Sequence, residues 1–331
     1  MVISQTPLRI SFCGGGTDLE DFWSKEDGKV LSSAIDKFVY VIVKRRFDND
    51  IYLNYSRKEM VNSVEEIQHD LIKNSMIMTD VNSGVEITTL ADIPSEGSGL
   101  GSSSSITVGL LNALYAYRNE QVTAERLATE ACKIEIDILK KPIGKQDQYI
   151  AAYGGLREIK FTTLSEVYVK PVNIDSKRTR VFGSNILLFY TGLTRKSSII
   201  LSDQKKHMAI NHEILIQMKN QVTQMRRVLE SEESLDSVGK FLNKAWELKR
   251  GLSKKITNPE IEGMYREALK SGALGGKLCG AGGGGFLMLY VPREKQNVVR
   301  KVLQDYREFP FMLNDSGSKI IFNNGSGGYW L

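Results

Sequence analysis

"PSEGSGLGSSSS", residues 94–105, sets three alternating glycines and then four serines directly ahead of "ITVGLLNALYAY", residues 106–117, an apolar stretch with helical spacing. The first four N–H groups of a helix lack an internal acceptor, and that end carries a partial positive charge. Glycines ahead of it let the backbone curl so that several N–H groups converge on one point. Serine hydroxyls add ligands for phosphate oxygens or a magnesium ion. The combination predicts an anion site, most often for phosphate. Alone, the stretch reads equally well as a flexible loop before a capped helix. It is not a Walker A loop, because no Lys-Ser or Lys-Thr follows a glycine at the required spacing, and "GGKL" around Lys277 fails for the same reason. Nor is it a dinucleotide fingerprint: Gly97, Gly99 and Gly101 are spaced by two, and Ser102 stands where the third glycine belongs.

The bulk properties narrow the setting. A chain of 331 residues with 41% hydrophobic and 25% charged residues suits a globular protein, with two domains the better expectation. The formal charge of +5 is mild and dispersed. It fits a phosphorylated small molecule and argues against nucleic acid, which calls for a clustered basic face. Cys13, Cys132 and Cys279 are far apart and form no CxxC pair, so a disulfide framework and a cysteine zinc site are not expected. No segment reaches the ~18 apolar residues of a membrane span, and "MVISQTPLRIS" is not a secretory signal. A cytoplasmic protein, monomeric or homodimeric, is expected.

Along the chain, "PLRISFC" reads as a strand running into Gly14–Gly16, followed by a short helix capped by Thr17 or Asp18. Residues 37–47 read as a strand, "EEIQHDLIKNSMIM" as a helix and "GVEITTLADIP" as a strand. Two helices follow the glycine-serine stretch. Ile106, Leu110, Ala113, Leu114 and Tyr117 share one face of the first; Leu127, Ala131, Ile134 and Ile138 share one face of the second, after a Thr123 cap. A short helix around Asp147–Ala152 and a hairpin come next. The polar segment Asp175–Asn185 is the expected boundary between domains 1–175 and 176–331. Beyond it lie a strand "ILLFYTG", helices near residues 197–229, 234–252 and 259–270, a second glycine turn "GGKLCGAGGGGFLMLYVP", a helix and a last strand near 319–322. The rhythm is that of an α+β fold, not a doubly wound sheet.

Three segments in order carry a resemblance. "PLRISFCGGGTDLEDF", "PSEGSGLGSSSS" and "KLCGAGGGGFLML" resemble the three motifs of the GHMP kinases, the superfamily of galactokinase, homoserine kinase, mevalonate kinase and phosphomevalonate kinase. The resemblance implies a two-domain α+β fold with the active site in the interdomain cleft, ATP as phosphoryl donor and Mg2+ as cofactor. It implies that Gly97, Ser98, Gly99, Leu100, Gly101, Ser102, Ser103 and Ser104 wrap the ATP phosphates. Phosphoryl transfer asks for positioning, charge neutralisation and an aligned nucleophile. Asp147, in "KPIGKQDQY", matches the family's catalytic base, and Glu135, twelve residues before it, matches the magnesium ligand beside Ser103. Glu130 is the alternative ligand. On position alone Asp147 is equally an N-cap, and Glu135 a solvated helix flank. Arg9 matches the strand arginine that favours the ionised base, and Asp18 the carboxylate that accepts hydrogen bonds from sugar hydroxyls. Gly15, Gly16 and Thr17 flank it; Gly282 and Gly283 lie in the third motif near the substrate.

Galactokinases carry Glu-His where this chain has Gly15 and Gly16, which puts galactose in doubt and implies a bulkier acceptor. "GGGTDL" with "TGLTRKSS" resembles one branch, the kinases of D-glycero-D-manno-heptose 7-phosphate. A phosphorylated acceptor needs a second anion site, and Arg195 and Lys196 are the candidates, with a capped helix and solvated charges as the plain alternative. Two rivals stay open: a sugar-1-kinase for fucose or a uronic acid, and a catalytically silent relative that binds ATP or sugar. His207 and His212 are five residues apart and His69 stands alone, so histidine ligation of a metal is not expected.

Overall fold

The computed structural model describes residues 1–93, 97–194 and 197–325. The N-terminal half builds a large sheet from β1 (Val2–Cys13), β2 (Gly28–Arg45), β3 (Ile51–Asn54), β4 (Lys58–Val61), β5 (Val85–Ala91), β6 (Leu156–Phe161) and β7 (Val167–Pro171). Its helices are α1 (Glu20–Trp23), α2 (Asp70–Met78), α3 (Ser102–Tyr117), α4 (Ala124–Cys132) and α5 (Gln146–Tyr153). The C-terminal half contributes α6 (Ser176–Ser184), β8 (Ile186–Tyr190), α7 (Ser197–Lys206), α8 (His212–Glu230), α9 (Asp236–Gly251), α10 (Pro259–Lys270), β9 (Gly275–Leu278), β10 (Phe286–Tyr290), α11 (Gln296–Val302) and β11 (Lys319–Asn323). The result is the expected two-domain α+β architecture.

Strand β2 organises the large sheet. It is long enough to hold β1 on one edge and two partners on the other: residues 28–33 pair with β6, and residues 39–45 with β5. The second sheet has the order β8-β10-β9, all antiparallel. Strand β11 joins the first sheet beside β1. The division placed after residue 175 therefore does not separate two closed units. An edge strand with unpaired backbone groups is a liability, and the returning C-terminal segment covers it. Each core also recruits across the line: Leu19 and Phe22 pack with Trp246 and Leu287 in the second core. Val222, Met225 and Met288 pack in the first.

Several local expectations need correction. Asp175–Asn185, the expected boundary, is occupied by α6, with Asp175 capping the Lys177 and Arg178 N–H groups. Helix α1 has Leu19 as its N-cap and no side-chain cap, because Thr17 and Asp18 are engaged elsewhere. Helix α3 is buried nearly all round rather than on one face. It runs against β1 and β2 and touches α2, α4 and α5, so its exposed stripe is lost. Thr123 caps α4 as expected, accepting from Arg126 N–H at 3.2 Å. That helix then widens into a π-helical turn, Lys133–Ile138. The extra residue breaks the 3.6 period. Ile138, expected on the apolar face, is exposed, and Glu135, expected at the flank, is wholly buried.

The close seating of α3 rests on Gly109. A Cβ there would stand 2.9 Å from Thr6 Oγ1 and 3.3 Å from Val41 Cγ2. Gly109→Leu is expected to cost about 2–3 kcal/mol, the upper range for overpacking a filled core. Urea denaturation measures it, and a change within about 0.5 kcal/mol, the scale of a neutral surface substitution, would show the helix free to lift.

Candidate active site

A cavity of about 470 Å³ lies where the two glycine loops meet. Gly97, Gly99 and Gly101 all take positive φ, between 74° and 80°, a region that side chains other than glycine's rarely adopt. Gly101 is the N-cap of α3 and offers no side-chain acceptor, so the amides of the first turn are left for another partner. Ser98, Ser102, Ser103 and Ser104 line the cavity with these glycines. Leu100 does not: it is fully buried, and its carbonyl accepts the Arg9 backbone N–H at 3.0 Å. The start of the expected loop, residues 94–96, lies outside the described residues.

The second loop presses against the first. A Cβ on Gly99 would sit 2.6 Å from the Cys279 carbonyl oxygen, and one on Gly285 2.5 Å from that of Ser98. Only backbone fits at this contact. Gly282 lines the cavity. Gly283 turns its N–H away to the Ile256 carbonyl at 2.7 Å, which takes it out of the expected substrate wall.

Arg9 and Asp147 meet as a bidentate pair, Nε to Oδ1 and Nη2 to Oδ2, both 2.7 Å. The third arm, Nη1, donates to the Gly99 carbonyl at 2.6 Å. Burial works against the Arg9 charge, but the Asp147 carboxylate outweighs it and Arg9 is held above its ordinary pKa. Asp147 lies in the first turn of α5, whose N-cap is Lys145, so it does not cap that helix. Its side chain stays partly open to the cavity.

Asp18 is 3% exposed and faces the same space. It accepts from Gly16 N–H at 2.9 Å and Gln146 Nε2 at 3.0 Å. Gly144 must be a glycine here, since a Cβ would meet Asp18 Oδ2 at 2.0 Å. Burial pushes the Asp18 carboxyl above its ordinary value; the Asp147 charge adds to the rise, and the backbone donors oppose it. Gly15 and Gly16 line the cavity, and a Cβ on Gly15 would have Gln146 Nε2 as nearest neighbour at 3.7 Å. Thr17 corrects the expectation. It is fully buried, and its hydroxyl is spent on backbone, donating toward the Gly14 and Lys29 carbonyls and accepting from Lys29 N–H. It holds the turn and does not face the substrate space.

Glu135 reaches Ser103 because of the π-helical turn. Its Oε1 accepts from Ser103 Oγ at 2.7 Å and from Lys141 Nζ at 3.0 Å, and Oε2 accepts from Gln148 Nε2 at 2.8 Å. Lys141 Nζ also lies 2.9 Å from Ser103 Oγ. A carboxylate and a hydroxyl that already share an ammonium suit a hard cation. Glu130 is elsewhere, tied to Tyr115 and Arg126. Among the described residues, no three of His, Cys, Asp and Glu group to hold a metal. Arg195 and Lys196 lie outside the described residues.

Sequence reasoning missed four cations or amides of the cavity. Lys141 and Gln146 stand within "KKPIGKQDQ", next to residues that were singled out, and that adjacency was a usable signal. Lys277 was weighed only as a failed Walker lysine. Lys249, in "WELKRG", reads as one of many helix cations, and nothing in the sequence marks it.

A glycine loop at a helix start, a carboxylate clamped by an arginine and a buried carboxylate bonded to Ser103 make an arrangement that suits phosphoryl transfer. The comparisons give the family. The model of the GHMP kinases N terminal domain matches residues 52–155, and that of the GHMP kinases C terminal matches residues 224–308. The chain belongs to the GHMP kinases and is an ATP-dependent phosphotransferase with an alcohol group as acceptor. It is 29% identical over 319 residues to the D-glycero-alpha-D-manno-heptose 7-phosphate kinase of Campylobacter jejuni, covering 91% of this chain and 93% of that one. It is 26% identical over 370 residues to the L-fucokinase/L-fucose-1-P guanylyltransferase of Bacteroides fragilis, covering 97% of this chain but 38% of that one. Among solved structures, the D-glycero-D-manno-heptose 1-phosphate kinase from Bacteroides thetaiotaomicron superposes with a TM-score of 0.81 at 26% identity, covering 98% of this chain and all of that one. Among the described residues, no helix is long and apolar enough to cross a membrane.

A carboxyl raised in the folded state penalises its own ionisation. That penalty is absent below the ordinary Asp pKa of about 3.9 and grows as pH rises toward the higher folded value. Asp18→Asn, which cannot ionise, is expected to gain stability relative to the wild type between about pH 4 and about pH 8. Paired denaturant titrations at the two pH values measure this, and a difference that does not move with pH would refute the buried charge.

Proposed function

We propose that the chain phosphorylates the anomeric hydroxyl of a phosphorylated heptose, D-glycero-D-manno-heptose 7-phosphate, to give the 1,7-bisphosphate and ADP. The observation that carries this is the Asp147 carboxylate, fixed by Arg9 within the cavity that the phosphate cradle opens into. The backbone of residues 97–104 holds the ATP phosphates. Asp18 and Gln146 orient acceptor hydroxyls, and the space left by Gly15 and Gly16 admits a sugar larger than galactose. Asp147 takes the proton of the attacking hydroxyl as its oxygen bonds to the γ-phosphorus and the bond from that phosphorus to the ADP oxygen breaks. Arg9 orients the base by both of its oxygens, so the carboxylate cannot rotate away from the hydroxyl. Ser103 and Glu135 would hold Mg2+, which when bound would offset charge on the phosphates.

A heptose phosphate is favoured by two relatives, one named for the 7-phosphate and the other for the 1-phosphate; only the first name fits an acceptor whose anomeric hydroxyl is free. With that acceptor, our reading includes a cytoplasmic enzyme that supplies nucleotide-activated heptose for surface polysaccharide. The fucokinase match supports a second reading, an unphosphorylated sugar as acceptor. Incubating the enzyme with ATP, magnesium and a panel of sugars and sugar phosphates, read by mass spectrometry, decides between them. Turnover of heptose 7-phosphate alone is expected; turnover of fucose without it selects the second reading. Asp147→Asn is expected to keep its affinity for nucleotide and lose about 100-fold or more in kcat, the scale of a lost general base. Near-normal turnover would remove Asp147 from that role.

A further inference from the structure

The cavity wall contains two cations that its own hydrogen bonds do not neutralise. Lys249, on α9, is 6% exposed and Lys277, on β9, is 4% exposed, and both line the cavity. Lys277 Nζ donates to the Ser11 carbonyl at 2.7 Å. Lys249 Nζ donates to the Leu278 carbonyl at 3.2 Å and to that of Gly280. Every one of these acceptors is a neutral backbone oxygen. Arg9 has Asp147 and Lys141 has Glu135, but among the described residues neither Lys249 nor Lys277 has a carboxylate within ion-pair distance. The acidic groups that act on them by charge are thiols, Cys279 on both and Cys13 on Lys277. Burial pushes Cys13 up to about 12 and raises Cys279 as well, so neither supplies a negative charge. Burial lowers both lysines, Lys249 well below its ordinary value with the Lys277 charge adding to the effect. A buried ammonium without an anion is costly, and proteins keep such groups where a ligand supplies the missing charge.

A third group points the same way. Ser11 lies two residues beyond Arg9 on β1, is 5% exposed and lines the cavity. Its hydroxyl is buried and has no hydrogen-bond partner. Two ammonium groups and an unspent hydroxyl match a ligand that carries two negative charges and several acceptor oxygens.

We propose that Lys249, Lys277 and the Ser11 hydroxyl form a second phosphate seat, separate from the amide cradle of residues 97–104. The ligand is a phosphate dianion. In a kinase it has two sources, the phosphate that an acceptor already carries and the terminal phosphate of the nucleotide. The inference rests on the protein being a kinase and not on which sugar it takes.

The test uses the full chain with Lys249→Met, Lys277→Met and Ser11→Ala. Methionine keeps the stem and removes the charge, and replacing a buried charge by an apolar group of similar size is commonly neutral for folding. Ser11→Ala deletes a hydroxyl with no internal partner and leaves both lysines in place. Titration calorimetry follows ADP, a non-hydrolysable ATP analogue, heptose 7-phosphate, the same heptose without its phosphate, and inorganic phosphate added to the ADP-loaded protein. Thermal unfolding, with and without phosphate, runs alongside. Each lysine variant is expected to weaken phosphate-bearing ligands about 30-fold or more, and Ser11→Ala by about threefold to tenfold, while ADP affinity stays within about twofold. If the acceptor is the source, the loss follows heptose 7-phosphate and spares the unphosphorylated sugar. If the nucleotide is the source, the loss follows the ATP analogue and spares ADP. The absence of any phosphate-dependent difference between wild type and variants overturns the seat, and so does a loss shared equally by ADP, both sugars and phosphate. Should heptose 7-phosphate fail to bind the wild type while lysine-dependent phosphate binding persists, the sugar assignment falls and the seat stands.

Discussion

The site exists because two glycine loops touch backbone to backbone. One leads into α3 and leans on the large sheet; the other joins β9 to β10 in the small one. At Gly99 and Gly285 a single added carbon would overlap a carbonyl oxygen of the opposite loop. This contact holds the two sheets at the spacing that leaves a cavity between them. Gly101, at the end of the first loop, leaves the first-turn amides of α3 without a side-chain cap. A side chain at the contact would force the loops apart, and Arg9 would lose the Gly99 carbonyl that its third arm holds.

Strand β1 distributes the consequences. Its inward residues Arg9 and Ser11 both line the cavity, one clamping Asp147, the other lying beside Lys277. The turn after it supplies Gly15, Gly16 and Asp18, and Thr17 ties that turn to the start of β2. One strand and the turn after it thus place the arginine that clamps Asp147 and the buried Asp18 carboxylate that faces the cavity. The π-helical turn after α4 brings Glu135 inward onto Ser103, where it is wholly buried. The loop-facing wall carries backbone donors, and the opposite walls carry the ionisable groups. That separation suits a reaction in which phosphate must be held and a hydroxyl must be activated.

Much of this was legible in the sequence, and the failures have causes. The three glycine motifs and the order of most elements followed from short, local patterns; Arg9 and Asp147 stand out only through the family resemblance, and their pairing spans 138 residues. The roles given to the site residues remain readings of that geometry. What local pattern cannot carry is long-range competition for a side chain. Thr17 has the composition of a helix cap, yet two carbonyls from different segments claim it. Glu135 sat at the edge of an ideal helical stripe, and only the widened turn buries it. Asp175–Asn185 read as a boundary because it is polar and basic, although Asp175 followed by a helical stretch is an ordinary cap. Strand β11 could not be assigned to the first sheet from its sequence, since the need it meets belongs to the open edge of β1. Lys249 had no signal at all, because a buried lysine and a solvated one look the same in a row of letters.

The central claim is that the nucleotide's phosphates lie on the amides that lead into α3, within reach of Ser103 and Glu135. A crystal structure of the full chain with a non-hydrolysable ATP analogue and magnesium tests it most directly. The account predicts phosphate oxygens on the backbone N–H groups of residues 99–104, and the metal between Ser103 and Glu135 with Lys141 displaced. A triphosphate bound elsewhere, with those amides facing water, would contradict it.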